Sequence, residues 1–279
     1  MSLAKATEAD VWLLHVVPWL AAWHGASEPY FDLLHNDVGA KFEESQAAAE
    51  TAAAGLLSRF RKQHFESISA RACVRRGGVA ETVVEYAKEI EADVIMMSTR
   101  GWGPVRRFLI GSAAAKILHD AACSVWISPH IQELEAFRPY RHVLCATDSR
   151  VLNPLLPIRG AEIAHLFNSH LSIVSAIPCP AASSAPCPDR PAVQEIKRET
   201  IGTLKRILSE SHIAASIHVQ EGTEGEVIRK VAVVEGADLI VIGHGRLEEP
   251  MGHLRTRAYE IIWNAPCPVL VVSSNLLRA

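Results

Sequence analysis

Residues 98–112 read STRGWGPVRRFLIGS and connect two segments of different character. The apolar run Asp93 to Met97 precedes them and predicts a parallel strand covered on both faces. An alanine-rich helix is predicted from Ser112 onward. At Gly101 and Gly111 the backbone can approach a ligand closely or adopt a positive φ angle. Ser112 offers a hydroxyl beside the unpaired N–H groups of a helix start, where a phosphate fits. The alternative is an ordinary strand–helix loop, because isolated glycine patterns also occur by chance.

Composition excludes several classes of function. The chain has 279 residues, 49% of them hydrophobic, which is enough for two well-filled domains. A net charge of −3 provides no basic surface for nucleic acid. Val11–Trp23 is apolar but too short to span a bilayer, and His15 and Pro18 interrupt it. Six cysteines without a C-x-x-C pair predict reduced thiols and a cytoplasmic location. No catalytic triad, carboxylate pair or metal-ligand spacing is present, so we predict no catalytic or metal residues.

A long internal repeat organises the sequence. Residues Val74–Arg100 align with Val219–Gly245 at an offset of 145, which matches Gly77 with Gly222. Towards the end of each copy the offset becomes 144, so the second copy has one residue fewer in its glycine loop. Self-similarity over this length predicts two homologous domains in tandem.

Strands and helices alternate in both halves, which predicts open parallel sheets with helices on both faces. A polar segment flanked by prolines separates the halves and predicts domains at 1–133 and 139–279. The second half begins with a buried-type strand, His142–Thr147, before its next strand. The first half reaches the matching second strand at Val11–Val17 with nothing before it. We therefore expect a first domain that lacks strand 1 and a sequence truncated at its amino end. We expect the place of strand 1, between strands 2 and 4, to be filled by an upstream segment or closed by strand 4 moving against strand 2.

The glycine loop also resembles that of a known family. Gly101, nine residues, then Gly111-Ser112 resembles the nucleotide loop of universal stress proteins, which runs Gly, two residues, Gly, nine residues, Gly, Ser or Thr. Ser98 stands where the first glycine would be. Leu118–Ile127 is similar to the family's last helical turn and final strand. This resemblance implies two tandem α/β, Rossmann-like domains of strand order 3-2-1-4-5, with ligands between the ends of strands 1 and 4.

The resemblance also implies a set of site residues. Asp148 matches an acid that lies beside the nucleotide, although a helix cap is the structural alternative. In the second half Arg246 replaces one glycine and Arg255 replaces another, which implies a weakened or lost second site. A pocket composed from both halves is a further alternative. The residues assigned to nucleotide binding are Val17, Ser98, Gly101, Gly111 and Ser112 in the first half, and Asp148, Gly243 and Thr256 in the second.

The function implied by the resemblance is that of a cytoplasmic, non-enzymatic stress-response regulator. It would bind ATP with Mg²⁺, or another adenine nucleotide, chiefly through the first-half loop. An interaction scaffold of the same fold without nucleotide is the alternative, and an ATP-hydrolysing enzyme ranks third. Because family members pair through their last strands, Val125–Ile127 and Val269–Val271 are predicted to form an intramolecular pseudo-dimer, with a homodimer as a further option. No nucleic acid or membrane partner is expected.

Overall fold

The structure is a computed structural model that describes residues 2–19, 37–98, 111–128, 140–150, 152–178, 190–244 and 254–277. Contacts within the chain divide it into two compact units, Met1–Glu91 and Ala92–Ala279. We call them unit 1 and unit 2. The division falls inside the first sequence repeat rather than at the proline-flanked segment between the repeats.

All the predicted elements occur in the described residues. The helices are α1 (Ser2–Thr7), α2 (Asp37–His64), α3 (Val79–Glu89), α4 (Ser112–Asp120), α5 (Leu155–Leu166), α6 (Arg190–Glu210), α7 (Glu224–Glu235) and α8 (Leu254–Asn264). The strands are β1 (Val11–Val17), β2 (Ala70–Arg76), β3 (Val94–Ser98), β4 (Ser124–Ser128), β5 (His142–Asp148), β6 (His170–Ile177), β7 (Ser216–Glu221), β8 (Leu239–Gly243) and β9 (Val269–Val272). A 3₁₀ turn at Ser274–Leu277, here called the C-terminal turn, follows β9.

Unit 1 contains a two-stranded parallel sheet. β1 pairs with β2 in a register that runs from Val11 opposite Ala70 to Val17 opposite Arg76. Helix α2 packs against both strands and α3 packs against β1. A hydrogen bond joins the carboxyl ends of the two strands: the N–H of Gly77, just after β2, donates to the carbonyl of Val17, the last residue of β1, at 3.1 Å. By sequence alignment these two strands are strands 2 and 3 of the first repeat.

Unit 2 contains a seven-stranded sheet in the order β3-β4-β9-β8-β5-β6-β7. Strands β5 to β9 form the second repeat, and their order is 3-2-1-4-5 when counted from β7, as predicted. Its central strand β5 is covered on both faces: Val143, Leu144 and Cys145 are each 0% exposed. Such complete burial explains the continuous apolar sequence of β5. The strand order reverses between β5 and β8, where this class of sheet binds ligands.

The last two strands of the first repeat join the sheet of the second. β3 and β4 are parallel to each other, whereas β4 is antiparallel to β9, with Val125 opposite Val271 and Ile127 opposite Val269. The predicted pairing of the two final strands is therefore observed. Within unit 2 the described part of β3 pairs with β4, and within unit 1 that of β1 pairs with β2. The predicted closure of strand 4 against strand 2 stays a prediction. The predicted upstream segment stays a prediction.

Candidate functional site

The carboxyl end of β5 carries Asp148, the predicted acid of the second half. The backbone N–H of Arg150 donates to Asp148 Oδ1 at 2.9 Å, and the Arg150 guanidinium donates to both carboxylate oxygens at 3.3 and 3.4 Å. Helix α5 is instead preceded by Asn153, whose Oδ1 accepts from the Leu155 N–H at 2.9 Å. The alternative role of Asp148 as a cap for this helix is thus not the one it takes. Asp148 instead binds the backbone and the side chain of Arg150, just after the end of β5.

Arg150 also bridges to a second carboxylate. Its Nη2 lies 3.3 Å from Oε1 of Glu224, the first residue of α7. Burial is the main cause that raises the pKa of the Glu224 carboxyl, and the charge of Asp148 raises it further, while Arg150 opposes both. One guanidinium therefore serves two carboxylates at this strand exit. A phosphate placed here would meet acidic neighbours as well as the arginine.

Gly243 ends β8, beside the end of β5. A Cβ atom placed on Gly243 would lie 3.0 Å from Leu277 Cδ1 and 3.5 Å from Leu156 Cδ2. The close approach that glycine permits is thus used by a leucine of the C-terminal turn. Two further contacts hold that turn: Asn153 Nδ2 donates to the Leu277 carbonyl at 3.0 Å, and Arg159 Nε donates to the Leu276 carbonyl at 3.3 Å. The switch point of the second repeat is covered by the chain itself.

The described residues at the two ends of the first-half loop are Ser98, Gly111 and Ser112. Ser98 ends β3 and is exposed, and Ser112, also exposed, begins α4. Gly111 is the N-cap residue of α4, with φ −58° and ψ 147° and without a side-chain cap hydrogen bond. Since any residue adopts these angles, the positive φ considered for Gly111 is not found, and close approach is the property that glycine retains there. Gly101 lies outside the described residues.

Two predicted site residues remain, Val17 and Thr256. Val17 belongs to unit 1, where it is buried and its carbonyl accepts from the Gly77 N–H. The second repeat makes the same closure, because the Gly222 N–H donates to the Ile177 carbonyl at 3.1 Å. Thr256 lies in the first turn of α8. Val17 therefore has a structural role in the strand exit that both repeats share.

Sheet geometry separates the carboxyl ends of β3 and β8 within unit 2. Because β4 is antiparallel to β9, these two strand ends point in opposite directions. Ser98 ends β3 and Gly243 ends β8, so these two predicted site residues lie at opposite ends of the strands of one sheet.

Three side chains of the second repeat, which the sequence had not singled out, bind the carbonyls of the first. His244 Nε2 donates to the Leu118 carbonyl at 2.6 Å, and Tyr259 Oη donates to the Ala115 carbonyl at 3.1 Å. Asn275 Nδ2 donates to the Ala122 carbonyl at 3.4 Å. Tyr259 and Ala115, the residue whose carbonyl it contacts, occupy equivalent positions in the two repeats, at the offset of 144. These contacts attach α4 to the end of β8 and to α8.

The tandem repeat and the strand order 3-2-1-4-5 of its second copy indicate the class of protein. The sequence profile of the universal stress protein family matches residues 1–129 and 139–273. The chain therefore belongs to the universal stress protein family, as a member with two tandem copies of the family unit.

Individual relatives agree with this assignment. A universal stress protein of Methanothermobacter thermautotrophicus is 39% identical over 59 residues, 21% of this chain and 40% of that protein. A universal stress protein of Methanocaldococcus jannaschii is 28% identical over 132 residues, 46% of this chain and 69% of that protein. The chain thus spans less than half the length of the first of these. The crystal structure of a universal stress protein from Archaeoglobus fulgidus has the same fold, with a TM-score of 0.61 at 18% identity, covering 96% of this chain and 89% of that one.

The described residues contain neither a candidate membrane span nor a candidate metal cluster. None of the helices they form is both long and apolar enough to cross a membrane. No group of three or more histidine, cysteine, aspartate or glutamate side chains in this part of the chain could hold a metal ion.

Proposed function

We propose that this universal stress protein is a cytoplasmic, non-enzymatic regulator that binds an adenine nucleotide, ATP with Mg²⁺ in the first instance, through its first-half glycine loop. The observation that carries the proposal is the start of α4, where Gly111 caps the helix without a side chain and Ser112 is exposed. The N–H groups of a first helical turn and the positive end of the helix dipole suit a phosphate. The Ser112 hydroxyl adds a further donor.

The second-half loop supports the same assignment by contrast. Leu277 approaches Gly243, and Asp148 and Glu224 share Arg150 at the neighbouring strand exit. The first feature opposes the entry of a triphosphate by occupying space, and the second keeps Arg150 engaged by two carboxylates. We therefore expect one nucleotide per chain in the protein as it is folded here.

Regulation follows from the position of α4. This helix begins at the proposed phosphate site and its carbonyls accept hydrogen bonds from His244 and Tyr259 of the second repeat. A ligand that fixes the start of α4 therefore acts on an element shared by both repeats. We expect nucleotide binding to change the stability of unit 2 and its affinity for partner proteins, without a chemical reaction.

The proposal is tested by titration calorimetry with MgATP on the intact chain. A Gly111→Leu variant crowds the phosphate position without straining the backbone, because its φ and ψ suit any residue. We expect affinity to fall by about tenfold or more, equivalent to roughly 1.4 kcal/mol. Gly202→Leu is the matched control, since a Cβ on this exposed α6 residue would touch nothing within 4 Å. Equal affinity of the Gly111→Leu variant and the unmodified chain would place the nucleotide elsewhere.

The second candidate function is an interaction scaffold that has lost nucleotide binding. It is favoured by Ser98 in place of the first loop glycine and by the contact of Leu277 with Gly243. Mass spectrometry of any nucleotide that copurifies with the protein separates the two functions. If none copurifies and MgATP, ADP and AMP all fail to bind the folded chain, the scaffold function replaces the nucleotide-binding one.

A further inference from the structure

The C-terminal turn lies on the ligand-binding edge of its own repeat. Parallel α/β sheets bind ligands outside the carboxyl ends of the strands where strand order reverses, here β5 and β8. Leu277 lies against Gly243 and Leu156 at this point. Gly243 is not among the glycines with positive φ, so backbone strain does not explain its identity. What glycine provides at this position is room, and Leu277 takes that room.

The attachments of the turn are side-chain hydrogen bonds and one packed leucine. β9 pairs with β8 as far as Val272 opposite Gly243, and the next residue, Ser273, donates its N–H to Ser124 Oγ at 3.2 Å. Beyond Ser273, the turn is held by hydrogen bonds from Asn153 and Arg159 to its carbonyls, by Asn275 Nδ2, which donates to the Ala122 carbonyl at 3.4 Å, and by the packing of Leu277. The neighbouring Leu276 is 45% exposed. The turn can therefore leave the edge by rotation after Ser273 while β9 stays in the sheet.

We propose that the C-terminal turn is an occluding segment, which keeps a second adenine-nucleotide site at Gly243 closed until the turn detaches. With Leu277 removed, Gly243 again allows a phosphate to approach the end of β8. Arg150, which now bridges Asp148 and Glu224, lies at the same edge and supplies a cation for the phosphate. The inference takes its ligand class from the proposed function but concerns the second repeat, and so it can fail or hold independently of the first-half site.

The test uses MgATP titration of the full chain in the Gly111→Leu background, which removes the first-half site. Adding Leu277→Ser is expected to create one binding site per chain. Adding Leu276→Ser is the matched control, because this neighbouring leucine of the same turn is exposed. We expect that control to bind no nucleotide. Circular dichroism and elution volume confirm that each variant is folded.

Each outcome has a defined meaning. The inference is overturned if the folded Gly111→Leu/Leu277→Ser variant binds no MgATP. It is also overturned if Gly111→Leu alone binds MgATP and Leu277→Ser does not strengthen that binding by at least about tenfold. If the unmodified chain binds nothing but Leu277→Ser alone binds one nucleotide, the proposed first-half site is wrong and the occluding role of the turn stands.

Discussion

The β1–β2 pair of the first repeat and the β6–β7 pair of the second are equivalent strands with different surroundings. Both pairs are parallel, and both are closed by a glycine N–H that donates to the last carbonyl of strand 2 at 3.1 Å. β6 has β5 on its other side, and its Ile173 is 0% exposed. The described part of β1 pairs with β2 alone, and Leu13, which aligns with Ile173, is only half-buried. The same local design gives a sheet core in one repeat and a small separate unit in the other.

The difference shows what the central strand contributes. β5 hydrogen-bonds to β6 on one side and β8 on the other, so it joins strands 2 and 3 to strands 4 and 5. Its side chains fill the core on both faces. In the first repeat, strands 4 and 5 are held instead by β9 of the second repeat. Strands 2 and 3 of the first repeat thus form a sheet in unit 1, whereas its strands 4 and 5 belong to the sheet of unit 2.

The largest expected effect is a difference in stability loss between equivalent mutations in the two repeats. Ile173→Ala leaves a cavity in a fully buried position and should cost unit 2 about 2–5 kcal/mol. Leu13→Ala removes a half-buried side chain that is partly in water already, so unit 1 should lose roughly 1 kcal/mol. Denaturant-dependent hydrogen exchange, followed separately for β6 and β1, measures both values. Similar losses at the two positions would mean that the central strand does not set the difference in burial energy.

The second expected effect concerns the feature that both repeats share. Gly77 and Gly222 have φ of 153° and 143°, values that side chains rarely adopt. Alanine would also bring a Cβ to 2.5 Å from Thr82 Oγ1 in unit 1 and to 3.0 Å from Val227 Cγ2 in unit 2. We expect Gly77→Ala and Gly222→Ala each to destabilise their own unit by about 1–3 kcal/mol.

The matched control for both glycines is Gly202→Ala in helix α6. A Cβ there meets no atom within 4 Å, and alanine favours a helix, so the unfolding free energy should stay the same or rise slightly. Separate unfolding of the two units, followed by hydrogen exchange, gives the individual losses. A loss in one repeat without a comparable loss in the other would show that the strand exits only look alike.

Much of this architecture could be predicted because it depends on local pattern. Period, apolar runs and the internal repeat predict the strands and helices. The order of β5 to β9 and the pairing of β4 with β9 were implied by the resemblance to universal stress proteins. The division near Glu91 could not be predicted from the repeat, because it depends on which strands pair with each other across long distances in sequence. The proline-flanked border suggested by the sequence marks where one repeat ends and the next begins.

The candidate sites were predicted less completely than the fold. The loop pattern indicates Gly111, Ser112 and Gly243, since glycine spacing is a local property. It does not indicate Leu277, because a leucine after the last strand carries no signal of where the chain folds back. Arg150 and Glu224 were missed for a similar reason: 74 positions separate them in sequence, and only the sheet brings them to one edge. Contacts made by tertiary folding leave no periodic trace.

The smallest expected effect is a pH dependence that only one repeat should show. Glu224 begins α7, whereas the aligned first residue of α3 is Val79. Burial raises the pKa of the Glu224 carboxyl, followed by the charge of Asp148, with a smaller contribution from Glu260, while Arg150 lowers it. The folded state therefore binds this proton more tightly than the unfolded state does. By linkage, the contribution of Glu224 to stability is most favourable below its unfolded pKa, and it decreases as pH rises through the folded pKa.

Glu224→Gln removes this titration, so the unfolding free energy of unit 2 should decline less for the variant than for the unmodified chain as pH rises above about 4.5, the ordinary glutamate value. The comparison is made by urea unfolding at several pH values between about 4 and 7. Glu226→Gln, at an exposed position in the same turn of α7, controls for the loss of one charge near the helix start. Unit 1, with Val79 at the aligned position, should respond to neither substitution. A stability difference between Glu224→Gln and the unmodified chain that stays constant with pH would show that the Arg150 bridge offsets the burial of Glu224 completely.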